Sequence, residues 1–376
     1  MPFPKLTDYS LANFSGRRVL VRMDYNVPLE EKEGKLVVAD DSRIRFSMET
    51  LKFLLDAKAR IILLSHFGDP GGRRKEEFSL APVAQKLNEL SFGLIGYKGK
   101  VKFCPRALGR QPQTAVRDLE KGEILVLENL RFYPGEEAND PVFAKRLAKL
   151  GDFYLNEAFS CSHRSHASIV ELPKLLPAAA GFRFCQEEEI LRRVRFSPQR
   201  PVVLVVGGVK EDKIEVAQKM ASWVDKILVG GKLVKSSKFP PKAGLCPRLT
   251  PPKAGAPLAD KVQSQEKIIL GKLREDGQDL DKATIKQFEE EIKKAGTVIF
   301  AGPIGNTSEG FFEGTKALFE AALDSEAFVL AGGGDTEAAL TKLGLTDRMD
   351  YISAGGGAML AYLSEGTLVG IEALRR

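Results

Sequence analysis

The 376-residue sequence has only four cysteines, Cys104, Cys161, Cys185 and Cys246, and no two of them form a CxxC pair. That argues against a disulfide scaffold or a thiolate zinc site and for a reducing, cytoplasmic compartment. No apolar run approaches the roughly 18–20 residues needed to cross a bilayer. The start, MPFPKLTDYS, lacks a basic segment followed by an apolar one, so no secretory leader is read there. The phosphate-loop pattern GxxxxGK[ST] is absent, and no GxGxxG follows a strand-like run. Basic tracts are missing too. The net charge of +6 is spread along the chain, which suits a solvated surface or a cleft for a small anion, not a nucleic-acid interface.

What is present is a two-part pattern. The length suits two domains, and 43% hydrophobic with 28% charged residues excludes a disordered or fibrous chain. In the first half, short apolar runs end abruptly in polar residues. Val19–Arg22 leads into Asp24 and Asn26, Ile61–Leu64 into His66, Ile124–Leu127 into Arg131, and Phe153–Leu155 into His163, Arg164 and His166. In the second half, the runs end in glycine. Pro201–Val206 leads into Gly207-Gly208, Ile227–Val229 into Gly230-Gly231, and Thr297–Ala301 into Gly302-Pro303. Ala327–Ala331 leads into Gly332-Gly333-Gly334, and Tyr351–Ala354 into Gly355-Gly356-Gly357. Such runs, alternating with helical stretches such as Leu80–Leu90, predict buried parallel strands in α/β units. Ile214, Ala217, Ala221 and Val224 form one apolar helical stripe, and Ile285, Phe288 and Ile292 another. Two Rossmann-like three-layer domains follow, residues 1–180 and 181–361. A connector helix with i,i+4 pairs Glu188/Arg192 and Glu189/Arg193 opens the second. The Pro-rich stretch 239–257 reads as a long surface loop.

Ligands of open parallel sheets bind outside the carboxyl ends of the strands, so these run ends are the candidate sites. Glycine turns let backbone N–H groups approach phosphate, and the helix N-terminus behind each adds partial positive charge. Lys210 and Lys213 stand beside such a turn and suit phosphate oxygens, or are exposed lysines near a helix start. Asp335 either holds a nucleotide-bound Mg²⁺ or caps the helix that begins near Thr336. In the first half, Arg22, Arg43, Arg131 and Arg164 with the three histidines suit a small phospho-carboxylate. The alternative for Arg22 is a salt bridge with Asp24. His163 and His166 have HxxH spacing without a supporting zinc pattern, and Cys161 lies near His163 without that making a nucleophilic dyad.

These residues fall in segments that resemble phosphoglycerate kinases over nearly the whole chain. Arg18–Pro28 (RVLVRMDYNVP) resembles the family's RVDFNVP, Asp41–Arg45 its D-x-R-I, and Leu63–Pro70 (LLSHFGDP) its SHLGRP. Leu125–Glu137 (LVLENLRFYPGEE) is nearly verbatim, and Asn156–Ser168 (NEAFSCSHRSHAS) resembles NDAFGTAHRAHAS. Gly207–Ile214, Ala301–Gly305, Gly332–Thr336 and Ser353–Ala358 resemble the motifs of the second half. The resemblance implies reversible, Mg²⁺-dependent phosphoryl transfer between ATP and 3-phosphoglycerate, by a monomer whose domains close on the substrates. It implies that Asp24, Asn26, His66, Arg131 and Arg164 hold 3-phosphoglycerate and that Arg43 is the catalytic arginine. Lys210 would follow the transferring phosphoryl group, with Gly356 and Gly357 as backbone donors beside it. Gly208, Lys213, Gly302, Glu309, Gly332, Gly333, Gly334 and Thr336 would line the nucleotide site, with Asp335 on the Mg-nucleotide. Residues 362–376 would pack back on the first domain.

Several positions depart from the family pattern. Asp69 stands where SHLGRP has arginine. Ser160-Cys161-Ser162 replaces Gly-Thr-Ala, and the Lys210–Lys213 loop is one residue short. Gly230-Gly231-Lys232-Leu233-Val234 replaces a GGGMA-like segment, Asn306-Thr307-Ser308-Glu309 replaces V-F-E, and Ala361 replaces a glutamate. These changes bear on nucleotide preference. They also leave a competing reading, a non-catalytic homologue that binds nucleotide or triose.

Overall fold

The structure is a computed structural model that describes residues 2–209, 212–236 and 267–375. Lys210, Cys246 and the stretch 239–257 lie outside the described residues. The chain divides into two compact units, Met1–Ile190 with Thr367–Arg376, and Leu191–Gly366. The division falls inside the helix Phe182–Phe196, where the sequence reading put it just before that helix. Among the described residues, no helix is long and apolar enough to cross a membrane.

The first unit contains β1 (Arg18–Arg22), β2 (Leu29–Lys32), β3 (Lys35–Val38), β4 (Arg60–Leu64), β5 (Lys102–Cys104), β6 (Ile124–Leu127), β7 (Phe153–Asn156) and β8 (Ala178–Ala180). Six of these form one parallel sheet in the order β5-β6-β4-β1-β7-β8. Strands β6 and β7 are buried at every position, as a sheet covered on both faces requires. Strands β2 and β3 form a separate antiparallel hairpin. Its two-residue turn, Glu33-Gly34, has φ of 52° and 73°, the geometry that matches strand twist. The predicted helix at Leu80–Leu90 is observed as Ala81–Ile95, with Val83, Ala84, Leu87 and Leu90 buried.

The second unit contains β9 (Val202–Val206), β10 (Lys226–Val229), β11 (Ile268–Leu270), β12 (Thr297–Ala301), β13 (Phe328–Gly332) and β14 (Tyr351–Ser353). All are parallel, in the order β11-β10-β9-β12-β13-β14. Counted within the unit, that is the doubly wound order 3-2-1-4-5-6, which reverses direction between β9 and β12. The reversal opens a crevice at the carboxyl ends of those two strands. In the first unit the corresponding reversal lies between β1 and β7. Both predicted apolar stripes of the second unit are buried.

The helix Gly356–Glu365 belongs to the second unit, and the return to the first begins at Thr367. There the helix Val369–Leu374 is tied down by the Gly370 N–H, which donates to the Ser162 carbonyl at 2.9 Å.

Candidate functional site

In the first unit, the carboxyl ends of β1, β4, β6 and β7 bring the predicted residues to one place. Asp24 follows β1. Its Oδ2 accepts from Arg43 Nη1 at 2.5 Å and from Ser160 Oγ, and its Oδ1 accepts from the Asn26 N–H at 3.2 Å. Arg43 comes from the one-turn helix Ser42–Arg45. Asn26 Oδ1 accepts from the Gly68 N–H at 2.8 Å, and Arg131 Nη1 donates to the Gly68 carbonyl at 2.7 Å. Arg131 Nε also lies 3.1 Å from Glu137 Oε1. Arg164 is exposed, as is Asp69, so the charge reversal at Asp69 sits in solvent.

Arg22 differs from the other arginines. It is fully buried, and its fork is spent on the protein. Nε donates to Ser168 Oγ at 2.8 Å, Nη1 to the Met23 carbonyl, and Nη2 to His66 Nδ1 at 3.3 Å. Its carboxylate neighbour is Glu136, 3.9 Å away, not Asp24. Glu136 in turn accepts from the Ser168 N–H and hydroxyl.

The histidines are held neutral. Burial pushes His66 well below its usual range, and the charges of Arg22, Arg131 and Arg164 add to that. Burial, then Arg22, Arg131 and Arg164, lowers His166 to about 3. His163 is lowered by burial and by Arg164. A cluster of guanidinium groups with neutral imidazoles suits an anion, and among the described residues the buried Nδ1 atoms of His163 and His166 have no hydrogen-bond partner.

Cys161 does not pair with His163. Its Sγ lies 3.8 Å and 3.9 Å from the two ring nitrogens of His66. Burial raises the thiol pKa, so it stays protonated and is a poor nucleophile. Asp24, His66 and Cys161 present donor atoms within 4.8 Å of one another, but the arginines around them oppose a cation.

In the second unit, the turns that follow β9 and β12 touch through glycine. A Cβ on Gly207 would lie 2.1 Å from the Pro303 carbonyl oxygen, and Gly302 has φ of 109°. Lys213 Nζ donates to the carbonyls of Gly207 and Ala301, both at 3.0 Å, and so clamps the two turns together. Beyond β13, Gly333 precedes the helix Gly334–Leu343 and has φ of 103°. Gly356 opens the next helix, where a Cβ would lie 2.3 Å from the Gly333 Cα. Two helix N-termini therefore lie side by side at the ends of neighbouring strands, an arrangement that favours phosphate. Gly357 is exposed in the first turn of the second helix.

The structure separates the two readings of Asp335. The N-cap is Gly333, with no side-chain cap bond, and Asp335 lies inside the first turn facing a cavity of about 410 Å³. A lone carboxylate beside a phosphate site suits Mg²⁺, which takes one or two carboxylates plus phosphate oxygens. Thr336 is buried, and its hydroxyl donates to the Gly332 carbonyl at 3.1 Å. Gly208 lines the cavity. Glu309 does not: it is exposed on the turn Thr307–Glu309, while Asn306, Thr307 and Ser308 line the wall.

The cavity also recruits residues that the sequence did not single out, among them Gln278, Phe312 and Lys342. Asn306 Nδ2 donates to Gln278 Oε1 at 2.8 Å, across a separation with no local pattern. In the first unit, Glu136 and Ser168 were likewise unforeseen.

The phosphoglycerate kinase family model matches residues 8–238 and 253–366. A phosphoglycerate kinase of Thermomicrobium roseum is 40% identical, covering 95% of this chain and 96% of that protein. One of Desulforudis audaxviator is 37% identical, covering 96% and 97%. The solved phosphoglycerate kinase of Coxiella burnetii aligns over 100% of this chain and 99% of its own, with a TM-score of 0.78 and 31% identity. That of Pyrococcus horikoshii aligns over 99% and 98%, with a TM-score of 0.76 and 27% identity. With an ordered set of motifs, two doubly wound sheets and matches along nearly its full length, the chain belongs to the phosphoglycerate kinase family.

Proposed function

We propose that the chain transfers a phosphoryl group reversibly between ATP and the carboxylate of 3-phosphoglycerate, with the acceptor held by the first unit and the nucleotide by the second. The observation that carries the acceptor site is the cluster of Arg43, Arg131 and Arg164 around histidines held neutral, which leaves the site's net charge to a multiply charged anion. Asp24 and Asn26 orient this cluster and offer polar contacts to the substrate. His66, Arg131 and Arg164 complete the acceptor contacts.

The attacking group is a carboxylate, ionised at neutral pH, so no general base is required. One acceptor oxygen forms a bond to the γ-phosphorus while the bond from that phosphorus to the β,γ-bridging oxygen breaks, giving ADP and the acyl phosphate. What remains for the protein is positioning and neutralising charge. Arg43 offsets charge on the attacking carboxylate and on the phosphoryl oxygens. Gly356 and Gly357 offer backbone N–H groups to the same oxygens, joined by Lys210 on the family's pattern. Gly208, Gly302 and the turn Gly332–Gly334 give the nucleotide close backbone approach, with Lys213 fixing the turn geometry and Thr336 the helix start. Asp335 would hold Mg²⁺, which when bound supplies charge neutralisation on the nucleotide phosphates. Gln278, Asn306 and Ser308 line the cavity, so they, not Glu309, would contact the nucleotide there. The protein acts in this reading as a cytoplasmic monomer on small-molecule substrates.

Acceptor discrimination tests it. With Mg-ATP, 3-phosphoglycerate turns over, whereas glycerate (no phosphate) and glycerol 3-phosphate (no carboxylate) do not. ATP binding without turnover of 3-phosphoglycerate would instead support a non-catalytic homologue.

A further inference from the structure

We infer that Arg22 is a positioning residue that fixes His66 as its Nε2–H tautomer, so that the ring presents a donor to the substrate and keeps no lone pair for a proton or a metal ion. A guanidinium can only donate. Arg22 Nη2 lies 3.3 Å from His66 Nδ1, so Nδ1 is the acceptor and its lone pair is engaged. The proton of the neutral ring then sits on Nε2. Among the described residues, the sole group within hydrogen-bond reach of Nε2 is Cys161 Sγ at 3.9 Å, a weak acceptor. The imidazole thus carries a buried N–H without a good protein acceptor, inside an anion site.

Arg22 cannot serve as a direct substrate contact. It is fully buried, and each of its three nitrogens already donates to the protein, to Ser168, the Met23 carbonyl and His66. Glu136 stands behind it as counter-charge, itself anchored by Ser168. The chain Glu136–Ser168–Arg22–His66 therefore sets the ring from the interior. Around His66 stand Arg22 from β1, Arg131 after β6, and Arg164, His166 and Cys161 after β7, with Asp24 as the acidic member. The cations dominate, and they oppose imidazolium as well as a bound metal. The Asp24, His66 and Cys161 trio has the spacing of a metal site, but the ring's one lone pair, on Nδ1, is engaged and the thiol is protonated.

The inference deepens the proposed phosphoryl transfer, on which its kinetic part rests. Its first test needs no turnover, so the two can fail separately. The protein has three histidines, so full-length protein with ¹⁵N-histidine gives a simple long-range ¹H–¹⁵N spectrum, and His66→Asn identifies the signals. His66 is expected in the neutral Nε2–H pattern at both about pH 7.5 and about pH 6. A neutral Nδ1–H pattern, or an imidazolium at the lower pH, overturns the inference. The double variant Arg22→Gln with Glu136→Gln avoids leaving a buried charge alone. In it, the ring is expected to stay neutral but to populate the Nδ1–H tautomer as well, and KM for 3-phosphoglycerate to rise about tenfold, with KM for Mg-ATP unchanged. A folded double variant that keeps the wild-type ring state and KM also overturns it. If the double variant does not fold, the wild-type spectrum decides alone.

Discussion

Arg43 and Asp24 meet at 2.5 Å, and Ser160 donates to the same carboxylate oxygen. A helix of one turn cannot fix a long side chain by itself, so the direction of the Arg43 guanidinium is set by Asp24. Ser160, which replaces a glycine of the family pattern, reinforces that carboxylate instead of disturbing it.

Arg43→Ala should lower turnover by about 10²–10³-fold, the usual effect of removing a group that stabilises transition-state charge. ATP affinity, measured by titration calorimetry, should stay close to wild type. Unchanged turnover would remove Arg43 from the mechanism.

Asp335→Asn should weaken Mg-nucleotide binding and raise the Mg²⁺ concentration needed for half-maximal rate, while KM for 3-phosphoglycerate holds. Stability should barely change, because Asp335 makes no cap bond. A loss of stability comparable to about 1 kcal/mol would mark it as a capping residue after all.

Gly356→Ala places a methyl group 2.3 Å from the Gly333 Cα, where no flexible side chain can yield. The two helix N-termini must part. We expect a stability loss of about 1–3 kcal/mol by urea titration, together with weaker nucleotide binding. Gly71→Ala would be a poor control, because Gly71 has φ of 69°. Gly93→Ala, in an open helical position, should be tolerated on both measures.

Two buried groups pull stability in opposite directions with pH. Burial raises Glu157 from 4.5 to about 7, although Thr50 Oγ1 and the N–H groups of Arg183 and Phe184 donate to it. Its contribution is present below 4.5 and is lost as pH rises through about 7. Relative to Glu157→Gln, the wild type should lose about 3 kcal/mol between pH 4.5 and pH 8. His166 is lowered from 6.5 to about 3, so its contribution is present above 6.5 and is lost as pH falls toward 3. His166→Asn should flatten that acid limb. Urea unfolding of both variants across pH reads the two effects separately, and parallel curves with wild type would refute them.

The strand ends were legible because each long buried run stops at a chemically abrupt residue. Val19–Arg22 and Thr297–Ala301 are examples, and the glycines after them needed no tertiary information. Three of the short strands were not legible. Ala178–Ala180 carries no pattern, and Lys102–Cys104 and Ile268–Leu270 are three residues each. The site residues were legible as types at strand ends, but their partnerships were not. Cys161 meets His66, 95 positions away, instead of His163, and Ser160 meets Asp24 across 136 positions. Arg22 looked like one arginine among four in an anion cluster. Only its burial and its contact with His66 show that it stands behind the site.

The most direct measurement is a ³¹P spectrum of the purified protein with Mg-ATP and 3-phosphoglycerate, compared with the Arg43→Ala variant. With hydroxylamine present to trap the acyl phosphate as its hydroxamate and so draw the uphill transfer forward, the account predicts ADP, phosphate and hydroxamate in equal amounts with wild type, formed far more slowly with the variant. ADP without hydroxamate, or no change in a protein that still binds ATP, would contradict it.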